Sequence, residues 1–244
     1  MYDYTIGIEI ELTGITREKA AQTAAKFLGG TYASAYDHYD TKKVTAADGR
    51  VWKVMSDASI NCQRKIDGEI VSAGREYSVE LVSPILTYDA DIETLQGLAR
   101  EIKRAGGFTN SSAGIHIHLG NTGHTPRSIR NFINIIASKN DLFYKALQIA
   151  PERMAYCKKM DEALVGRMNA RKPKTMEEIE EIWYEGYTGD RNRHYHESRY
   201  AFLNLHSMFS GNHTIELRGF NSTLHAGKIR SYICLALALN HQAL

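Results

Sequence analysis

Four stretches of this chain alternate apolar residues with chemically reactive ones, and that period of two constrains the fold more than any other feature of the sequence. In GIHIHL, Gly114 to Leu119, strand geometry sends Ile115, Ile117 and Leu119 to one face and sets His116 and His118 about 7 Å apart on the other. YTIGIEIEL places Ile6, Ile8, Ile10 and Leu12 opposite Gly7, Glu9 and Glu11. EYSVELVSP sets Tyr77, Val79 and Leu81 against Glu76, Ser78 and Glu80, and Pro84 ends the run. HTIELRGF sets Ile215 and Leu217 against Thr214, Glu216 and Arg218. If these are strands of one sheet, its polar face collects Glu9, Glu11, Glu80, His116, His118, Glu216 and Arg218. Carboxylates crowded in this way repel one another unless cations neutralise them, so the collection reads as a divalent-metal site.

One such strand alone is explained by carboxylates solvated on the outer face of a sheet edge; it is the repetition that points to a site. Oxygen ligands in excess, with one or two imidazoles, suit Mg²⁺ or Mn²⁺ better than zinc. Arg218 lies two residues beyond Glu216 on the same face. A guanidinium beside a metal cluster is what a transferring phosphoryl group requires, although a simple ion pair with a neighbouring glutamate accounts for Arg218 equally well. Arg199, ahead of YAFLNL, is a second candidate clamp. The chain has neither G-x-x-x-x-G-K-[ST] nor G-x-G-x-x-G, so any nucleotide has to be held by the sheet itself. Asp57 and Ser59 suit either contacts to polar substrate groups or a plain turn. His194 and His196, within GDRNRHYHESR, read as part of a solvated basic loop.

Composition narrows the class. The 30 basic and 28 acidic side chains leave a net charge of +2, which argues against a dedicated nucleic-acid or anionic-membrane binder. Cys62, Cys157 and Cys234 form no C-x-x-C pair, so neither a disulfide framework nor a zinc knuckle is expected, and a reduced, cytoplasmic setting fits. No charged-then-apolar leader opens the sequence, and no apolar run approaches the roughly 20 residues that span a bilayer. A chain of 244 residues suits a single domain, 1–244, with a helical insertion at about 151–197.

Along the chain, Thr16 is expected to cap a helix reaching about Leu28, stopped by Gly29-Gly30. Thr31 to Asp57 reads as strands, with a hairpin turn at Asp48-Gly49 that leaves Trp52 and Val54 on one side. Asp57 to Glu76 reads as a loop with short strand ends. Asp89 or Asp91 is expected to cap a helix running to about Ala105. Thr125 followed by Pro126 starts a long helix that breaks near Asn140. Thr175 and Glu178 form a capping box within the insertion. RYAFLNL and HTIELRGF read as the last strands and KIRSYICLALALNHQAL as a terminal helix. Strands separated by such helices give an α+β layer arrangement.

The motifs GIEIEL, WKVMSDASI, YSVELVSPIL, SAGIHIHLG and TIELRGFNSTLHAGKIRSYI, in this order, resemble the amidoligase family, carboxylate-amine ligases related to glutamine synthetase and γ-glutamylcysteine synthetase. The resemblance implies a glutamine-synthetase-like curved, largely antiparallel sheet, with helices on one face and an open polar face that holds ATP and two or three divalent ions, Mg²⁺ or Mn²⁺. It assigns Glu9 and Glu11 to a metal-binding E-x-E, Glu80 to a metal-binding glutamate and His116 to a metal-binding histidine, with His118 second to it in holding the cofactor. It assigns Glu216 and Arg218 to an E-x-R that ligates metal and contacts ATP phosphates, Arg199 to a further phosphate contact, and Asp57 and Ser59 to a D-x-S that gives substrate or structural support. Glu9, Glu80, Glu216 and Arg218 are thereby the residues expected to carry catalysis.

The implied reaction joins a small-molecule or peptide carboxylate to an amine through an acyl phosphate, with ADP released. The basic loop from Arg191 to Arg199 is the candidate lid over that intermediate. The competing readings are a phosphotransferase on the same fold, a non-catalytic relative that binds metal or peptide, and a metal-dependent hydrolase that needs no ATP.

Overall fold

Alternation in the first strand does what its period demands: in β1 (Thr5–Leu12) the side chains of Ile6, Ile8, Ile10 and Leu12 are all buried. The computed structural model describes residues 4–244, and the chain divides into two compact units. The amino-terminal unit runs to Ile115 and takes in Asn221–Ile233; the carboxy-terminal unit is His116–Phe220 with Cys234–Leu244. Both mix helices with strands, and the strand pairings are mostly antiparallel.

In the amino-terminal unit, Thr16 caps α1 (Arg17–Phe27) by accepting from the Lys19 N–H at 3.2 Å. Ala20, Ala21, Ala24 and Ala25 are buried on α1, and side chains this small let the helix lie close on β2 (Thr31–Ser34), β3 (Lys42–Thr45) and β4 (Val51–Met55). The β3–β4 hairpin turns at Asp48-Gly49 as expected, with Gly49 at φ 83° and the Ala46 N–H donating to the Arg50 carbonyl at 2.9 Å. Trp52 and Val54 are its buried side.

The stretch read as a loop contains a second hairpin, β5 (Gln63–Ile66) and β6 (Glu69–Ser72), turning at Asp67-Gly68. It forms a separate two-stranded sheet on which Arg64, Lys65, Ile66, Glu69 and Ile70 are all exposed. The expected strand at EYSVELV is shorter than its pattern. β7 covers only Val79–Val82, because Arg75–Tyr77 winds into a 3-10 turn. Arg17 holds that turn, its Nη1 donating to the carbonyls of Arg75 at 2.6 Å and Ser78 at 2.8 Å.

After β8 (Leu86–Thr87), α2 (Tyr88–Arg104) begins at Tyr88, before either acid expected to cap it. Asp91 acts from inside the first turn, accepting from the Thr87 N–H at 2.8 Å and from Arg50 at 2.7 Å. Burial opposes its charge, and these donors more than offset that and hold its carboxyl below the usual value. α2 meets α1 where Gly97 faces Phe27; a Cβ on Gly97 would stand 2.4 Å from the ring. The strand order here is β1-β7-β4-β3-β2, with β8 also on β1.

The carboxy-terminal unit takes up β9 (Gly114–Gly120) at His116. Thr125 and Ser128 form a capping box and Pro126 opens α3 (Pro126–Ser138); the expected break falls at Lys139, before α4 (Asn140–Ala146). The insertion supplies α5 (Glu162–Arg171) and α6 (Met176–Tyr184), the latter with the Thr175–Glu178 capping box. Only two residues of RYAFLNL form a strand, β10 (Leu203–Asn204), because α7 (His206–Ser210) starts immediately after. β11 (Thr214–Asn221) pairs antiparallel with β10, Asn204 opposite Glu216. The Phe202 ring fills the space beside Gly219, where a Cβ would come within 1.9 Å of it. α8 (Ala226–Ala243) ends the chain. Among the described residues, no helix is long and apolar enough to cross a membrane.

The residues expected on the open polar face are buried, Glu9 excepted. Glu11, Glu80, His116, His118, Glu216 and Arg218 are between 2% and 8% exposed. Polar groups this buried have to be matched by protein partners in place of water.

Candidate functional site

Each unit carries a group of the expected residues. In the amino-terminal unit, the β1–β7 register sets Glu11 directly opposite Glu80. Like charges facing each other across an antiparallel pair are destabilising. Asp57, just past β4, joins them, and Glu11, Asp57 and Glu80 each offer one oxygen, all within 4.8 Å of one another. Oxygens bound to one Mg²⁺ at about 2.1 Å lie roughly 3–4 Å apart, so the spacing fits a hard divalent cation, as does the all-oxygen donor set. Glu9 is half-buried, two residues before Glu11 on the same face of β1.

Backbone contacts aim this group. Glu11 accepts from the Gly114 N–H at 2.6 Å, and its own carbonyl accepts from the Ser222 hydroxyl. Ser78 Oγ donates to the Asp57 carbonyl at 2.6 Å and accepts from the Asp57 N–H at 3.0 Å, while Arg75 Nη2 donates to the same carbonyl at 2.7 Å. Asp57 Oδ1 also accepts from the N–H of Ser59 at 2.6 Å and from its hydroxyl. Ser59 thus builds the turn that aims Asp57, and Asp57 is grouped with carboxylates, a placement its reading as a substrate contact did not anticipate.

In the carboxy-terminal unit, β9 and β11 supply imidazoles, a carboxylate and a guanidinium. Arg218 Nη1 donates to Glu216 Oε1 at 2.5 Å; His116 Nδ1 is 3.6 Å and His118 Nε2 4.0 Å from that same oxygen. His118 Nδ1 is 2.8 Å from Thr214 Oγ1. When that hydroxyl accepts from Nδ1–H, the Nε2 lone pair is turned toward Glu216, which is how a partner oxygen prepares a histidine for a metal.

Two residues without any sequence signal shape this group. Arg153, 2% exposed, donates to the carbonyls of Arg218 at 2.8 Å and Phe220 at 2.6 Å, serving alternate carbonyls of β11 as a neighbouring strand would. Asn204 donates to Glu216 Oε2 at 2.6 Å. Arg218 Nε also donates to the Tyr156 carbonyl at 3.3 Å, so the start of the insertion supports the arginine. Arg199 is engaged with its own loop, donating to the His194 carbonyl at 3.0 Å and lying over the Tyr195 and Tyr200 rings.

The basic loop is only partly solvated. His194 is exposed, but His196 is 4% exposed, with its ring stacked on His206 at 5.3 Å. Burial lowers the pKa of His206 and pushes the Tyr184 hydroxyl up to about 12. Cys62, Cys157 and Cys234 are free thiols.

A search of curated proteins returns no match. A family model described as "Putative amidoligase enzyme" matches residues 2–240, and the chain accordingly belongs to the amidoligase family.

Proposed function

We propose that this protein is an ATP-dependent carboxylate-amine ligase that forms an amide through an acyl phosphate and releases ADP. The observation that carries this reading is the buried pairing of Arg218 with Glu216 beside two imidazoles. A guanidinium fork of the kind that grips phosphate, next to imidazole and carboxylate donors in a chain of the amidoligase family, supports the reading.

Glu9, Glu11, Asp57 and Glu80 are the residues to hold Mg²⁺ or Mn²⁺ in the amino-terminal unit, and His116, His118 and Glu216 in the carboxy-terminal unit. An ion bound at either place would supply Lewis-acid charge to phosphate oxygens. A carboxylate oxygen of the acid substrate attacks the γ-phosphorus, the bond to the ADP oxygen breaks, and an acyl phosphate forms. Arg218 stabilises the charge that spreads over the transferring oxygens, and its tie to Glu216 keeps the guanidinium from reorganising as the charge moves. The amine nitrogen then attacks the carbonyl carbon, inorganic phosphate leaves, and the nitrogen gives up a proton to complete the amide. The reaction requires that water, the competing nucleophile, be kept from the acyl phosphate.

The fold that goes with this reading is the glutamine-synthetase-like sheet that the motifs resemble, and the substrates are a small-molecule or peptide acid and an amine. A cytoplasmic location, where thiols stay reduced, completes it. Calorimetric titration of a non-hydrolysable ATP analogue, with and without Mg²⁺ or Mn²⁺, is the test. Metal-dependent binding that disappears in Glu216→Ala and in Arg218→Ala is the expected result. Absence of binding under every metal overturns the proposal.

A further inference from the structure

Asn204 is 1% exposed and makes two hydrogen bonds that fix which way its amide points. Nδ2 donates to Glu216 Oε2 at 2.6 Å, and Oδ1 accepts from the His206 backbone N–H at 2.8 Å. The amide must point its NH₂ at the carboxylate and its oxygen at the N–H, so the flip is settled by its partners. An aspartate here would set two carboxylates face to face, and an apolar residue would take the Asn204 hydrogen bond from Oε2. The two oxygens of Glu216 therefore have different surroundings. Oε2 is held by Asn204, while Oε1 faces Arg218, His116 and His118.

The other end of this contact leads into the 189–199 loop. The His206 ring has Tyr184 Oη at 2.6 Å from Nδ1, and the Arg193 carbonyl at 3.1 Å and Ser210 Oγ at 2.8 Å from Nε2. An Nε2–H tautomer satisfies both sides, donating to the Arg193 carbonyl while Nδ1 accepts from Tyr184. His196 stacks on this ring, Tyr184 stands edge-on to both histidines, and the Arg191 guanidinium lies 5.0 Å over the Tyr184 ring. Arg191, Arg193 and His196, spread along the loop, thus all rest on the His206–Tyr184 pair.

We propose that Asn204 is a positioning residue that sets the Glu216 carboxylate and, through His206, makes docking of the 189–199 loop a condition for that setting. The inference rests on the reading of Glu216 as a ligand for the metal nucleotide. With the loop undocked, His206 loses the Arg193 carbonyl and the His196 ring, and its backbone N–H no longer holds the Asn204 amide in place. The Glu216 carboxylate is then less firmly set opposite Arg218. A loop that docks over a bound substrate would complete the nucleotide site as it closes, coupling closure to competence for phosphoryl transfer.

The test uses the full chain with two substitutions, Asn204→Leu and Tyr184→Phe, the second removing one hydroxyl at a distance from Glu216. Three quantities are read for each: the affinity for an ATP analogue with Mn²⁺, the rate of native-state tryptic cleavage after Arg191 and Arg193, and the melting midpoint. The expected results are an affinity loss of about tenfold or more for Asn204→Leu, and for Tyr184→Phe several-fold faster loop cleavage with a few-fold loss of affinity. A merely structural role would move affinity only in step with the melting midpoint. Wild-type affinity in Asn204→Leu, or a loosened loop with unchanged affinity in Tyr184→Phe, overturns the inference while leaving the ligase reading intact. A wild-type protein that binds no nucleotide overturns the ligase reading itself, and the role of Glu216 with it. Unchanged loop cleavage in both variants overturns the coupling whatever the nucleotide does.

Discussion

The amino-terminal and carboxy-terminal groups are built on opposite electrostatic plans. In the first, Glu11, Asp57 and Glu80 carry one sign of charge, and they are brought together by strand register and backbone hydrogen bonds. In the second, Glu216 is matched by Arg218, and Asn204 of β10 and Tyr156 of the insertion hold the pair. A same-sign cluster gains from a bound cation, whereas a mixed pair is under strain when one partner is removed. Substitutions of similar size should therefore have opposite effects on stability in the two places.

The sharpest way to break that contrast is Arg218→Ala. It strands a buried carboxylate and should cost about 3–5 kcal/mol in chemical denaturation, along with all ligase turnover. Arg153→Met should follow at roughly 2–4 kcal/mol, since two buried carbonyls of β11 lose their donor. Glu80→Gln should go the other way. Without metal it should stabilise the protein by a few tenths of a kcal/mol to about 1 kcal/mol, because the like-charge opposition with Glu11 is gone. The same variant should show a smaller rise in melting midpoint on adding Mg²⁺ or Mn²⁺ than the wild type does. A Glu80→Gln protein less stable than wild type in chelator would show that the trio is already neutralised by protein groups.

The smallest expected effect is on pH dependence. Burial lowers the pKa of His124 and of His206 in the carboxy-terminal unit. The unfolded chain then binds more protons than the folded one below about pH 6.5. The stabilisation these histidines give is complete above that pH and is lost as the pH falls through their lowered folded values. Denaturation midpoints measured from pH 7.5 down to pH 5 should fall, and His206→Phe should flatten that slope.

How legible each group was in the sequence follows from the same contrast. Alternation exposed β1, β9 and β11, and with them Glu11, His116, His118, Glu216 and Arg218, because strand period is a local property. Caps at Thr16, Thr125 and Thr175 were legible for the same reason. Asp57 was found as a residue but not as a neighbour of carboxylates, since its place depends on the pairing of β4 with β7. The supports of the mixed group left no trace. Arg153 acts on carbonyls 65 and 67 positions along the chain, and no pattern around it marks that job. His196 looked solvated among charged neighbours because the ring it stacks on belongs to His206, in another element. The Asp67-Gly68 hairpin was missed because neither of its strands alternates toward a core.

That hairpin carries a consequence for how the protein behaves in concentrated solution. Thr13 and Gly14 satisfy the outer backbone groups of this two-stranded ribbon at Gln63, and beyond that point it shows Ile66 and Ile70 to water. Arg64, Lys65 and Glu69 stand guard along the same ribbon, and such charges keep like ribbons from zipping together. Their repulsion acts over a distance that shrinks to about 3 Å in 1 M salt. Strong brine should thus be the condition under which molecules begin to adhere through β5 and β6, long before either unit unfolds.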